Sequence, residues 1–307
     1  MKYISVQQAA NNWGISDRRV RILCERGKIV GTIKEGRSYK IPSEAVKPID
    51  GRKNRHKTIP EEFMDVFEHI DSLRTALEEK RKITTSGNTQ MLTDNFLCEY
   101  VFNSNALEGN ELTLEETSLV LKGKTINDKP LRHHLEALGL KDAFLYVQKL
   151  AHNNIPLSEL VINNIYFSLL LSDSVYTGAN KRSAIHITKK GDFSPPSLIT
   201  SSQLKNIVRE SNKNNLHPIE SASLLLLKFY ELHPFSNGNG NIARLLLNFF
   251  LIKNGYPPVC IRVTDDKTYY EGLFNYCCNG SSSELINLIS GYLEHNLKSS
   301  LFNLNYP

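Results

Sequence analysis

The sequence predicts a mainly α-helical protein: an all-helical core carrying a small β-hairpin, preceded by a small N-terminal module of two helices and a hairpin. Three observations carry this. Helical periodicity dominates from Thr58 onward. The apolar runs Ala222 to Tyr230 and Leu245 to Ile252 are long enough for buried helices rather than turn-bounded strands. Charge is split along the chain: residues 1–60 hold 14 Lys and Arg against 5 Asp and Glu, a net of +9, and the remaining 247 residues hold 23 against 27, a net of −4. The overall +5 therefore hides a basic module on a mildly acidic body, which points to a polyanion partner for residues 1–50.

Within that module Ser5 can cap a short helix, Val6 to Trp13, and Gly14-Ile15-Ser16 makes a turn. A second helix starts near Asp17 and carries Arg18, Arg19 and Arg21. Val30 to Lys34 and Ser38 to Ile41 flank Glu35-Gly36-Arg37 as a hairpin. Helix, turn, helix and wing is the layout of a winged helix-turn-helix, and the segment resembles the small MerR- and excisionase-like DNA-binding modules. That resemblance implies duplex DNA as partner, with Arg18, Arg19 and Arg21 reaching bases or backbone and Arg37 and Lys40 on the wing touching phosphates. A basic module that binds protein is the competing reading.

Residues 51–60 read as a polar, basic linker. Thr58-Ile59-Pro60-Glu61 then opens a helix with an N-cap, a first-turn proline and a capping-box Glu, so residues 61–94 are expected as a helical connector. The chain has ample length for a real core, and two domains are the natural expectation at 307 residues. No window approaches twenty apolar residues, so no membrane span is expected. The first residues lack the apolar stretch of a signal peptide. Five cysteines show neither paired metal spacing nor a disulfide framework, which points to a reduced, cytoplasmic setting.

The string His233-Pro234-Phe235-Ser236-Asn237-Gly238-Asn239-Gly240-Asn241-Ile242-Ala243-Arg244 lies between the two apolar runs. Its glycines fall at the N-terminus of the second helix, where unpaired N–H groups and the helix dipole favour an anion, phosphate above all. Arg244, in the first turn, can add forked hydrogen bonds. Taken alone, Asn-Gly-Asn-Gly would be a helix connector; the fixed offsets of His, Pro, Phe, Gly-Asn-Gly and Arg are what lift it above that.

The string resembles the signature of the Fic family: His-Pro-Phe, any residue, Asp or Glu, Gly-Asn-Gly-Arg, two residues, Arg. The resemblance covers roughly residues 95–290, and the Fic domain is expected over residues 95–300. It implies transfer of AMP from ATP to a Ser, Thr or Tyr hydroxyl of a protein, this chain possibly among the targets. His233 would be the general base, and Gly238, Asn239, Gly240, Asn241, Ile242, Ala243, Arg244 and Tyr269 would bind the nucleotide. It also implies Mg²⁺ or Mn²⁺. Two positions depart from the pattern. Asn237 stands where the family has a metal-holding acid, and Asn241 stands where the first arginine belongs. Both lower the charge available to metal and phosphate.

Ser104-Asn105-Ala106-Leu107-Glu108-Gly109 resembles the family's inhibitory motif, in which Glu108 would pair with Arg244 and occupy the site needed by the γ-phosphate. Its place ahead of the core matches members with an N-terminal inhibitory helix, and Ser104 belongs to the same motif. Thr177 to Ile187 looks like the family's flap hairpin, which pairs with a target's backbone; Thr177, Gly178, Lys181, Ile185 and Ile187 would form it. Three functional classes stay open: an autoinhibited adenylyltransferase, a DNA-binding regulator whose degenerate core senses nucleotide without efficient catalysis, and a variant moving another phosphate-bearing group. The sequence leaves the oligomeric state open, a homodimer included.

Overall fold

The computed structural model describes residues 3–13, 17–25, 29, 31–36, 38–45, 61–83, 89–170, 186–187, 193–194, 198–213 and 216–303. The chain divides into two units, Met1–Lys57 and Thr58–Pro307.

The first unit contains β1 (Tyr3–Ser5), α1 (Val6–Trp13), α2 (Asp17–Glu25), β2 (Ile33–Glu35) and β3 (Ser38–Pro42). Ser5 and Gln8 cap α1 reciprocally: Ser5 Oγ accepts from the Gln8 N–H at 3.2 Å and Gln8 Oε1 from the Ser5 N–H at 2.9 Å. The strands form an antiparallel sheet in the order β1-β3-β2. Glu35 pairs with Ser38, and the hairpin's first strand starts at Ile33 rather than Val30. β1 was not expected, because three residues are too few to show alternation; it is held by pairing with β3 from Tyr3↔Pro42 to Ser5↔Lys40. Val6, Ala9, Ala10, Val20, Cys24, Ile29 and Ile41 form the core of this unit.

The second unit is mostly helical. Its elements are α3 (Glu61–Ile83), α4 (Thr89–Ala106), α5 (Leu114–Leu121), α6 (Leu131–His152), α7 (Glu159–Leu169), the paired strands β4 (His186–Ile187) and β5 (Phe193–Ser194), α8 (Leu198–Ser211), α9 (Pro218–Leu232), α10 (Asn239–Lys253), a 3₁₀ turn over Val263–Asp265, α11 (Asp266–Asn279) and α12 (Ser283–Asn303). The segment expected as a connector supplies Phe63, Phe67, Ile70 and Leu77 to the common core, and α3 packs on α12. α5 begins with a complete capping box between Thr113 and Glu116.

α10 is the centre of the unit. Every residue from Asn239 to Leu251 is buried, with α9, α6, α4 and α7 packed around it. Its apolar residues fall on every face, as in a helix enclosed by the core. Truncating a leucine within it to alanine is expected to cost about 2–5 kcal/mol. None of the described helices is long and apolar enough to cross a membrane, and none of the five cysteines forms a disulfide.

Candidate active site

α9 ends at Leu232, and the next residue, His233, takes a left-handed conformation at φ 49°, ψ 59°. Only His233 and Asn154 do so among the described non-glycine residues. Such a backbone costs of order 1–3 kcal/mol and persists only where its surroundings impose it. Here the His233 N–H bonds to Phe229 O at 3.1 Å, and Pro234 prevents the helix from continuing. Nδ1 of His233 lies 3.2 Å from the Tyr230 carbonyl. A carbonyl can only accept, so Nδ1 carries the proton and Nε2 is left as the basic nitrogen.

The loop beyond is closed by Asn239. Its side chain accepts from the Phe235 N–H at 3.0 Å and donates to the Phe235 carbonyl at 2.7 Å. The Phe235 ring stacks on Tyr166 at 4.0 Å, and the Tyr166 hydroxyl reaches Ser236 Oγ at 3.2 Å. Gly238, at φ 71°, is the N-cap of α10 and brings no side-chain cap. The first intrahelical bond runs from the Ile242 N–H to Gly238 O at 2.9 Å, so the preceding N–H groups, Asn239 to Asn241, lack intrahelical acceptors. A helix end of this kind, without a side-chain cap, favours an anion.

The cation of that end is already engaged. Arg244 is 2% exposed. Its Nε donates to Ser104 Oγ at 2.6 Å, and Nη2 donates to Ser104 O, Asn241 Oδ1 and Glu108 Oε1 at 2.9, 2.9 and 2.8 Å. Nη1 reaches the Tyr269 hydroxyl at 3.4 Å. Burial works against the guanidinium charge, but the facing Tyr269 and Glu108 outweigh it and the pKa is raised. Burial likewise raises the phenols of Tyr230, Tyr269 and Tyr270, which stay neutral. Glu108 sits in the turn after α4, a turn held by the Tyr270 hydroxyl, which donates to Leu107 O at 2.7 Å.

His233, Asn237, Gly238, Asn239, Gly240, Asn241 and Glu108 line one cleft of about 270 Å³. Ile242 and Ala243, expected to touch the nucleotide, do not reach it. Both side chains are fully buried in the core, and the Ile242 N–H is used by the helix. Tyr269 is also fully buried, behind Arg244, and Tyr270 lines the cleft instead. Successive helical residues point about 100° apart, so only one of the pair can face the cleft. Sequence reading missed Tyr166, Tyr230, Arg132 and Glu136, which also line it; no local pattern marks residues brought in from α6, α7 and α9. Among the described residues no cluster of His, Cys, Asp and Glu could hold a metal. Asn237 offers a neutral amide oxygen, and the lining carboxylates, Glu108 and Glu136, are paired with Arg244 and Arg132. The donor set does not fit a protein-held divalent cation.

Of the expected flap, Thr177, Gly178, Lys181 and Ile185 lie outside the described residues. Ile187 is in β4, opposite Phe193. In the first unit Arg18, Arg19 and Arg21 fall on α2, with Arg21 exposed. Lys40 is exposed on β3 and pairs with Glu35 at 2.8 Å. Arg37 lies outside the described residues.

Residues 157–251 match the Fic/DOC family. That stretch is similar to a Fic domain. The chain's all-helical core with a small hairpin matches the solved Fic fold. The Fic-1 fragment of Caenorhabditis elegans (residues 134–508) superposes with a TM-score of 0.66 at 27% identity over 77% of this chain and 70% of that one. A Fic domain-containing signalling protein of Bacteroides thetaiotaomicron gives 0.65 at 26% identity over 78% and 97%. In sequence the chain is 30% identical to a protein adenylyltransferase Fic of Nematostella vectensis over 66% of its length and 48% of that protein's. It is 32% identical to the protein adenylyltransferase fic-1 of C. elegans over 57% and 35%. The chain thus spans half or less of these curated relatives' lengths.

Proposed function

We propose that this chain is an autoinhibited protein adenylyltransferase, moving AMP from ATP to a Ser, Thr or Tyr hydroxyl of a protein. The observation that carries the reading is His233 facing the same cleft as the uncapped N-terminus of α10. A target hydroxyl gives its proton to Nε2 of His233. Its oxygen forms a bond to the α-phosphorus, and the bond from that phosphorus to the bridging oxygen breaks as pyrophosphate leaves. N–H groups from Asn239 to Asn241 stabilise the charge that builds on the phosphate oxygens. Names of the relatives support the same chemistry.

Inhibition follows from the contacts of Glu108. Its carboxylate pairs with Arg244 and lies against Gly240, so it occupies, as an anion, the space a phosphate needs. Ser104 and Asn241 hold Arg244 in that arrangement. Asn241, neutral where the family pattern has arginine, thus supports the closed state rather than the ligand.

For residues 1–57 the proposed partner is duplex DNA. The net charge of +9 in residues 1–60 favours it, as do the exposed Arg21, Lys34 and Lys40.

Intact-mass spectrometry tests the main reading. Wild type and Glu108→Gly are incubated with each nucleoside triphosphate and Mg²⁺ or Mn²⁺, with and without a lysate. One adenylyl group added to a Ser, Thr or Tyr is expected, most strongly in the variant. No gain with any nucleotide in either protein removes the enzyme reading; gain of a different group reassigns it.

A further inference from the structure

We propose that Arg132 is the second phosphate-binding cation of this cleft, supplying the charge that Asn241 does not. The proposal rests on the adenylyl-transfer reading. A multiply charged triphosphate with one cation, Arg244, would be poorly neutralised, and the arginine the family pattern places at 241 is absent. Among the described residues lining the cleft, Arg132 is the one arginine or lysine. It stands on the wall formed by α6, facing the same space as His233 and the N-terminus of α10.

Helix stability does not explain its placement. Arg132 is the second residue of α6, where the positive end of the helix dipole disfavours a cation. Its partner Glu136 lies four residues C-terminal, with Nε to Oε1 at 2.6 Å. That order of charges supports a helix less well than its reverse.

The pair is instead fixed from behind. Glu136 is only 20% exposed at its side chain, and its other oxygen accepts from Asn110 Nδ2 at 2.8 Å. Asn110 is itself nearly buried, and it bonds to His133 O at 3.2 Å and to the Leu112 N–H at 3.0 Å. Glu136 and Asn110 are positioning residues for the guanidinium. Because Asn110 follows Glu108 by two residues, the same hydrogen bonds tie the inhibitory turn to the wall carrying Arg132. Charge-assisted hydrogen bonds from one guanidinium to phosphate are worth roughly 10–100-fold in affinity.

Calorimetry on the full chain in the Glu108→Gly background tests this, comparing MgATP and adenosine as ligands. The Arg132 side chain is 55% exposed, so Arg132→Ala is expected to fold, and equal melting temperatures verify it. Arg132→Ala is expected to weaken ATP roughly 10–100-fold while leaving adenosine unchanged. Arg132→Lys recovers part of the loss, keeping charge without the fork. Unchanged ATP affinity overturns the proposal alone, including the case where only the KM for a protein target rises, which would assign Arg132 to an acidic target surface. Equal weakening of adenosine also overturns it, as an effect of shape. If the Glu108→Gly parent binds no nucleotide, the adenylyl-transfer reading falls and this proposal with it.

Discussion

The carboxylate of Glu108 fills the space that a side chain at Gly240 would need: a Cβ built there would meet Glu108 Oε1 at 2.0 Å and Arg244 Nη1 at 3.1 Å. The absent side chain is what lets an anion approach the first N–H groups of α10. Gly240→Ala therefore tests whether Glu108 and phosphate compete for one space. The methyl displaces Glu108, the far end of a flexible side chain, yet also blocks phosphate. ATP affinity in the Glu108→Gly background is expected to fall about tenfold or more. In that background no carboxylate is displaced, so the melting temperature should not drop; alanine is the better helix former by about 1 kcal/mol. ATP binding that survives Gly240→Ala would place the phosphates elsewhere.

Removing the Glu108 carboxylate should release the site. Glu108→Gly is expected to raise self-labelling and ATP affinity by roughly 5–150-fold, the usual range for one coupling contact. Labelling by radioactive ATP in wild type and variant measures this directly. Equal rates would mean that the pair of Glu108 with Arg244 does not limit access.

His233→Ala separates chemistry from binding. Transfer should fall by about 10²–10⁴-fold, the contribution of a general base. ATP affinity should hold, since the imidazole acts on the hydroxyl and not on the phosphates. A variant that labels at the parent rate contradicts the assigned role.

A pH effect on stability arises far from the cleft. His217 caps α9, accepting from the Ile219 N–H at 3.3 Å, stacks on Phe67 at 4.2 Å and faces Asp71. Burial pushes its pKa below the ordinary histidine range, against the opposing pull of Asp71, with Arg74 adding to the depression. A histidine depressed in the folded state binds protons more readily when unfolded. Its contribution is therefore complete above the unfolded value of about 6.5 and is lost as pH falls through the lower folded value. Melting temperature should decline as pH falls from about 6.5 toward the lower folded value in wild type, and decline less in His217→Asn, which keeps a capping side chain. Identical pH profiles would remove His217 as the cause.

The basic module should bind duplex DNA with an affinity that falls steeply as salt rises, because its Lys and Arg side chains displace counterions. Gel shifts of the full chain, with and without Arg21→Ala and Lys40→Ala, across a salt series provide the measurement. No shift at the lowest salt would assign the module to a protein partner.

What the sequence determined on its own was local. The anion end of α10 was legible because glycines between two apolar runs define a loop and a helix start within a dozen residues. The capping of α1 by Ser5 and the fold class followed from spacing over a few positions for the same reason. Only the tertiary structure decided which distant side chains meet there. Ser104 and Arg244 are 140 residues apart, and Glu108 and Arg244 are 136 apart; the family resemblance suggested the second contact, but no pattern in this chain could. Asn241 read as a lost cation, and its burial beside Ser104 makes it an acceptor for Arg244. Tyr270 replaced Tyr269 at the cleft, and Arg132 and Glu136 joined it, because the packing of α4 and α6 around α10, and of α11 on α9 and α12, selects which face of each helix looks inward. Periodicity reports that a helix has an apolar face; the neighbours that enclose it decide what its polar edge can touch.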